Sequence, residues 1–198
     1  MAGFSRRHFL ALSGSAAAAA VAGPVSAAMG PNDKFDLVIK GGDVLDPSQS
    51  LRGKRDMGIR WGAIEAIEND IPAARALKTI DASGKLVTPG LIDLHSHVYP
   101  YGSAIGIPAD ELAQFQCTTT LVSAGDAGVN NLGALRRYIV AQSRARIYAF
   151  LHIANNGLSG FPVAELYNID YAQVDAGAMA LAENPDFLLG VKVRMSEN

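Results

Sequence analysis

The sequence predicts an α/β protein in which a small antiparallel β-domain precedes a parallel sheet built from strand and helix units. Three observations carry that prediction. Between residues 35 and 88, short apolar runs are separated by glycine-containing turns. From Leu91 onward, strand-like runs alternate with stretches of helical length, the mark of βα units. At the junction, Pro89 to His97 reads Pro-Gly-Leu-Ile-Asp-Leu-His-Ser-His, a strand-like run that ends in two histidines one residue apart.

The N-terminal 27 residues read as an export signal, residues 28–88 as the β-domain and residues 89–198 as the βα region. Ser5-Arg6-Arg7-His8-Phe9-Leu10 is a twin-arginine pattern, followed by an alanine-rich stretch to Ala22 and small residues at Val25-Ser26-Ala27-Ala28 suited to cleavage. The stretch is shorter and less apolar than the ~20 residues that anchor a helix in a bilayer, so a periplasmic or exported protein without a stable membrane anchor is expected.

In the β-domain, residues 35–40 form a strand, Gly41-Gly42 a turn, and Val44-Leu45 a short strand ended by Asp46-Pro47. Residues 55–60 and 63–67 flank a Trp61-Gly62 turn, and residues 79–81 and 85–88 flank another at Ala82-Ser83-Gly84. In the βα region, residues 91–95 form a strand that Leu91, Ile92 and Leu94 mark as buried. A helix over 109–116, a strand over 118–123, a helix over 132–143 and a strand over 147–154 follow. The loop 155–160 leads to a helix over 170–184 and a fourth strand over 188–194.

Loss of the leader removes only Arg6 and Arg7 among the charged residues and takes the formal charge from −2 to −4. A mildly acidic chain with scattered Lys and Arg gives no support for nucleic-acid binding. The single cysteine, Cys117, excludes an intramolecular disulfide and is expected as a small buried residue.

The chemistry centres on His95 and His97. In a strand, side chains two apart share a face, so the pair can offer two imidazoles to one ion such as zinc. Only His8 and His152 remain elsewhere. The pair falls at the C-terminal end of its strand, where α/β barrels place their active sites.

The chain resembles the amidohydrolase superfamily, most closely its amidohydrolase/deacetylase metallohydrolases, with dihydroorotases and D-aminoacylases more distant. The resemblance rests on residues 36–42 (Asp-Leu-Val-Ile-Lys-Gly-Gly), on residues 80–97 ending in Leu94-His95-Ser96-His97, and on Gly190-Val191-Lys192-Val193-Arg194. It implies a (β/α)8 TIM-type barrel, here its first four βα units, preceded by part of a small β-sandwich. It implies that His95 and His97 bind the more buried metal. It also implies that Lys192, carboxylated by carbon dioxide, bridges two zinc-like ions as a carbamate. A lysine inside an apolar strand is costly to bury as the ammonium, which favours the free amine that reacts.

Asp93 shares the face of His95 and serves either to orient an imidazole or as plain structure. His152, on the third strand, is expected to line the core or pocket. Relatives carry Asp-Ala-Gly-Ser in the loop after the second strand where this chain has Ser123-Ala124-Gly125-Asp126, an offset that leaves Asp126 without a matched role.

The resemblance further implies hydrolysis of an amide or ester in a small acylated substrate, with cyclic-amide hydrolysis as the alternative. The other metal histidines and the late-barrel catalytic aspartate would lie beyond Asn198. An N-terminal half of an enzyme is therefore expected, weakly active or inactive alone, or else a non-catalytic metal-binding fragment. Homo-oligomers or a complementary chain would then satisfy its open edges.

Overall fold

The computed structural model describes residues 29–30, 32–160 and 162–194, so the twin-arginine segment and its cleavage site lie outside the described residues. The chain divides into two compact units between Val87 and Thr88.

The first unit is one sheet in the order β3-β2-β1-β4, with β5 also on β1. Its strands are β1 (Leu37–Asp46), β2 (Leu51–Arg60), β3 (Ala63–Glu68), β4 (Thr79–Asp81) and β5 (Leu86–Val87). β1 pairs antiparallel with β2, and β2 with β3. β4 and β5, however, both run parallel to β1. The antiparallel expectation is corrected to a mixed sheet. After β3 the chain returns to the start of β1, where the Phe35 amide donates to the Arg75 carbonyl and the Leu77 amide to the Phe35 carbonyl, each at 2.8 Å. A return to the start of β1 leaves the next segment running in the same direction as β1.

The predicted break at Gly41-Gly42 is a bulge inside a continuous strand, since the β1–β2 register shifts between Ile39 and Gly42 and Gly41 takes φ +71°. The Trp61-Gly62 turn has φ of 52° and 75°, the double left-handed geometry that suits a two-residue hairpin. Asp36 supports it by accepting from the Trp61 amide at 2.6 Å. Phe35, Val38 and Ile71 form the core of this unit. Asp56, itself buried, accepts from Lys40 and from the amides of Gly41 (2.7 Å) and Ile71 (2.9 Å). Burial pulls its pKa upward, but the Ile71 amide, Lys40 and the Gly41 amide outweigh it and hold the carboxyl below its usual value.

The second unit is a mixed α/β arrangement around a fully parallel sheet in the order β6-β7-β8-β9. Its strands are β6 (Leu91–Ser96), β7 (Thr118–Ala124), β8 (Arg146–His152) and β9 (Leu188–Lys192). Helix α1 (Ala109–Gln116) joins β6 to β7, and α3 (Val174–Glu183) precedes β9. Between β7 and β8 the predicted helix is α2, residues 132–142, a run that passes from α through a π segment (Leu135–Ile139) to a 3-10 turn. The predicted 170–184 helix is shorter, because a 3-10 turn at Ile169–Tyr171 precedes α3. Leu121, Leu135, Leu151 and Val98 lie at the centre of the core.

Two expectations change here. Leu91, Ile92 and Leu94 are exposed at 55%, 58% and 66%, because β6 is a sheet edge with only β7 beside it among the described residues. Cys117 is exposed rather than buried, for it ends α1 in the left-handed region (φ 56°), where its amide closes the helix onto the carbonyls of Ala113 and Gln114. Among the described residues no helix is long and apolar enough to cross a membrane.

Candidate metal centre

The parallel register carries the ends of all four strands to one edge of the sheet, and the candidate residues come from that edge. On β6 the ladder to β7 shifts register between Asp93 and Ser96. Ser96 turns inward, its hydroxyl donating to the Val122 carbonyl at 3.1 Å. His95 and His97 flank it, with ring centroids 5.4 Å apart and planes inclined at 67°. A tetrahedral ion bound at about 2.0–2.1 Å to two imidazole nitrogens sets the centroids about 5 Å apart, so the pair is spaced for one such ion.

His97 is anchored by Asp126. This carboxylate is fully buried and accepts from His97 Nδ1 at 2.9 Å, the Val98 amide at 3.0 Å and the Ser123 hydroxyl at 2.7 Å. Three donors offset the cost of removing its charge from water. Because a carboxylate only accepts, the imidazole proton sits on Nδ1 and Nε2 keeps its lone pair. A carboxylate behind an imidazole in this way orients it for a metal. Asp93 does something else: its carboxylate accepts the backbone N–H of His95 at 2.9 Å and so fixes the end of the strand, not an imidazole.

Lys192, the last residue of β9, is half-buried and opposes His152 in the β8–β9 register. Both side chains come against Gly125, where an added Cβ would lie 2.5 Å from Lys192 Cγ and 3.1 Å from His152 Cδ2. Gly125 also has φ +86°, a second reason for glycine there. The candidates thus fall into two groups, His95 and His97 with Asp126, and Lys192 with His152. The consecutive loop residues Gly125 and Asp126 touch both groups.

His152 is buried, and its Nδ1 accepts from the Ala154 amide at 3.0 Å. Burial holds its pKa below the ordinary imidazole value; Glu165 opposes that shift, while Lys192 and Arg194 reinforce it. Among the described residues no group of three His, Cys, Asp or Glu side chains is placed to hold a metal ion by itself. The imidazole pair therefore needs a ligand of another kind to complete a site.

Sequence reasoning names Asp126 but leaves it without a role, and it does not single out Glu165 at all. Glu165 is buried and accepts from Arg194 Nε at 3.0 Å. For Asp126 a signal was present: Asp126-Ala127-Gly128 itself carries the Asp-Ala-Gly of the relatives' loop, three residues beyond the frame that was compared.

The chain presents a parallel α/β sheet with paired imidazoles at its C-terminal edge, and comparison with known proteins narrows its class. No protein-family model matches the chain. A deacetylase of Agrobacterium fabrum is 38% identical over 136 residues, 68% of this chain and 33% of that protein. A solved dihydroorotase superposes with a TM-score of 0.68 at 31% identity, covering 81% of this chain and 42% of that one. A solved adenine deaminase gives 0.72 at 26% identity, covering 83% and 42%. The chain belongs to the amidohydrolase superfamily. It spans about a third of the length of the curated deacetylases it matches, 33% and 34%.

Proposed function

We propose that this chain supplies the first metal ligands of a divalent-metal hydrolase that cleaves amide or ester bonds in small acylated molecules. The observation that carries the reading is His97, whose Nδ1 is held by a buried carboxylate, so that Nε2 keeps its lone pair, and whose ring stands beside a second imidazole. Zinc suits the two imidazoles, and a carbamate on Lys192, formed with carbon dioxide, adds the oxygen ligand the pair needs. His95, His97 and Lys192 would hold the metal. When bound, such an ion supplies an activated water and polarises the scissile carbonyl.

The chain's own residues prepare that site. Asp126 fixes the tautomer and direction of His97, Asp93 fixes the backbone of His95, and Gly125 makes room for the Lys192 stem. The strand order β6-β7-β8-β9 with intervening helices supports the first four units of a (β/α)8 barrel, and the mixed sheet before Thr88 supports part of a β-sandwich. The apolar side chains exposed on the edge strands β6 and β9 favour a further chain or a second copy as partner. The twin-arginine pattern supports export to the periplasm.

The identity to the Agrobacterium deacetylase, 38%, favours an acetylated substrate. The 31% identity to the dihydroorotase supports cyclic-amide hydrolysis as the second reading. The test joins this chain to the segment of the Agrobacterium deacetylase that follows the matched region and offers N-acetyl amino acids and dihydroorotate in the presence of zinc and bicarbonate. Preferential release of acetate is expected. Preferential opening of dihydroorotate would establish the second reading, and zinc binding that survives His97→Ala unchanged would refute both.

A further inference from the structure

His152 carries a buried hydrogen-bond donor that has no acceptor among the described residues. The Ala154 amide donates to Nδ1, so in the neutral ring the proton lies on Nε2. That Nε2–H is buried and has no partner among the described residues. A nitrogen that carries hydrogen offers no lone pair, so His152 is not a metal ligand in this tautomer. A buried donor left unsatisfied costs about 1–3 kcal/mol, which calls for an acceptor.

Lys192 stands beside it. The two residues are register partners across β8 and β9, the Ile153 amide donates to the Lys192 carbonyl at 3.0 Å, and the Lys192 stem and the His152 ring edge converge over Gly125. An ammonium is a donor only, so an unmodified, charged Lys192 cannot satisfy the imidazole. Carboxylation changes this. The ammonium first loses one proton to solvent, the amine lone pair then attacks carbon dioxide, a C–N bond forms, one C=O electron pair moves to oxygen, and a second proton leaves the nitrogen to solvent. The product is an anion with two acceptor oxygens.

We propose that His152 is a positioning residue whose Nε2–H donates to a carbamate oxygen of carboxylated Lys192. The inference rests on the reading of Lys192 as carboxylated and adds the residue that holds the carbamate. The charged groups facing His152 are Glu165, Lys192 and Arg194. Glu165 is not the acceptor, because its Oε2 is engaged by Arg194 while its Oε1 and His152 Nε2 both stay unpartnered.

The test uses the full chain loaded with Zn²⁺ and ¹³C-bicarbonate, with the carbamate followed by ¹³C NMR against a Lys192→Arg control. His152→Phe is expected to lower Lys192 carbamate occupancy about tenfold, the scale of one buried hydrogen bond to a charged group. His152→Gln, which can both accept and donate, is expected to restore most of it. Should the phenylalanine variant not fold, ¹⁵N-histidine spectra of the unsubstituted chain serve instead: the His152 Nε2–H resonance is expected to move on addition of bicarbonate, and not in Lys192→Arg. Unchanged occupancy in a folded His152→Phe, or a resonance indifferent to bicarbonate, overturns the inference alone. Absence of any Lys192-dependent carbamate signal in the unsubstituted chain overturns the lysine reading as well, while zinc binding by the histidine pair is scored separately.

Discussion

Replacing Asp126 with asparagine separates the metal-orienting role proposed for this residue from its structural one. In the native chain Oδ2 accepts from the Val98 amide and the Ser123 hydroxyl, and Oδ1 accepts from His97 Nδ1. An asparagine that keeps its carbonyl oxygen at the Oδ2 position retains two of those three bonds and turns its NH₂ toward His97. Nδ1 must then accept, and the imidazole proton moves to Nε2, the nitrogen meant for the metal. All three charge-assisted bonds become neutral ones, a loss offset in part because no charge is then buried, leaving a net cost of about 1 kcal/mol in folding stability. Zinc affinity falls about 10–100-fold, or about 1.4–2.7 kcal/mol. Asp126→Ala instead leaves three donors without their buried acceptor and loses about 3–5 kcal/mol of stability besides. Calorimetric zinc titration with urea unfolding of the metal-free protein reads both quantities. An Asp126→Asn protein that binds zinc within twofold of the original would refute the tautomer reasoning.

Three further outcomes follow from other parts of the chain. Gly125→Ala places a Cβ 2.5 Å from Lys192 Cγ at φ +86°, and urea unfolding should show a loss of about 2–4 kcal/mol. Cys117→Gly relieves a left-handed cap at φ 56° and should raise stability by about 0.5–1 kcal/mol, while the native thiol should react with a thiol reagent without unfolding. Asp56 has a pKa held below the ordinary carboxyl value, so its contribution to stability is complete above that ordinary value and is lost as pH falls through the lower folded pKa. Acid titrations of unfolding should accordingly flatten below about pH 4 in Asp56→Asn, and an unchanged slope would exclude Asp56 as a source of the acid limb.

The parallel half was legible because its signals are local. Alternation of β-branched runs with helical stretches marked β7, α1 and β8, and the Pro89-Gly90 punctuation marked β6. The direction of β4 and β5 was not legible, since strand direction depends on where the chain returns, here to Phe35, and no residue pattern encodes that. Exposure of Leu91, Ile92 and Leu94 was hidden for a similar reason: an apolar run announces a strand but not whether neighbours cover it. The histidine pair was legible as a ligand pattern. The partnership of His97 with Asp126 was not, because the two are 29 residues apart and meet only through the pairing of β6 with β7. Glu165 had no signal of its own, being a lone acid in a loop that folds over onto Arg194.

On the proposed reading His95 and His97 ligate one ion through their ring nitrogens. Zinc-edge X-ray absorption of the zinc-loaded chain tests it directly. Scattering from two imidazoles with nitrogen at about 2.0–2.1 Å is expected, abolished in a folded double variant carrying His95→Ala and His97→Ala. An imidazole signal that persists at full strength in that variant would contradict it.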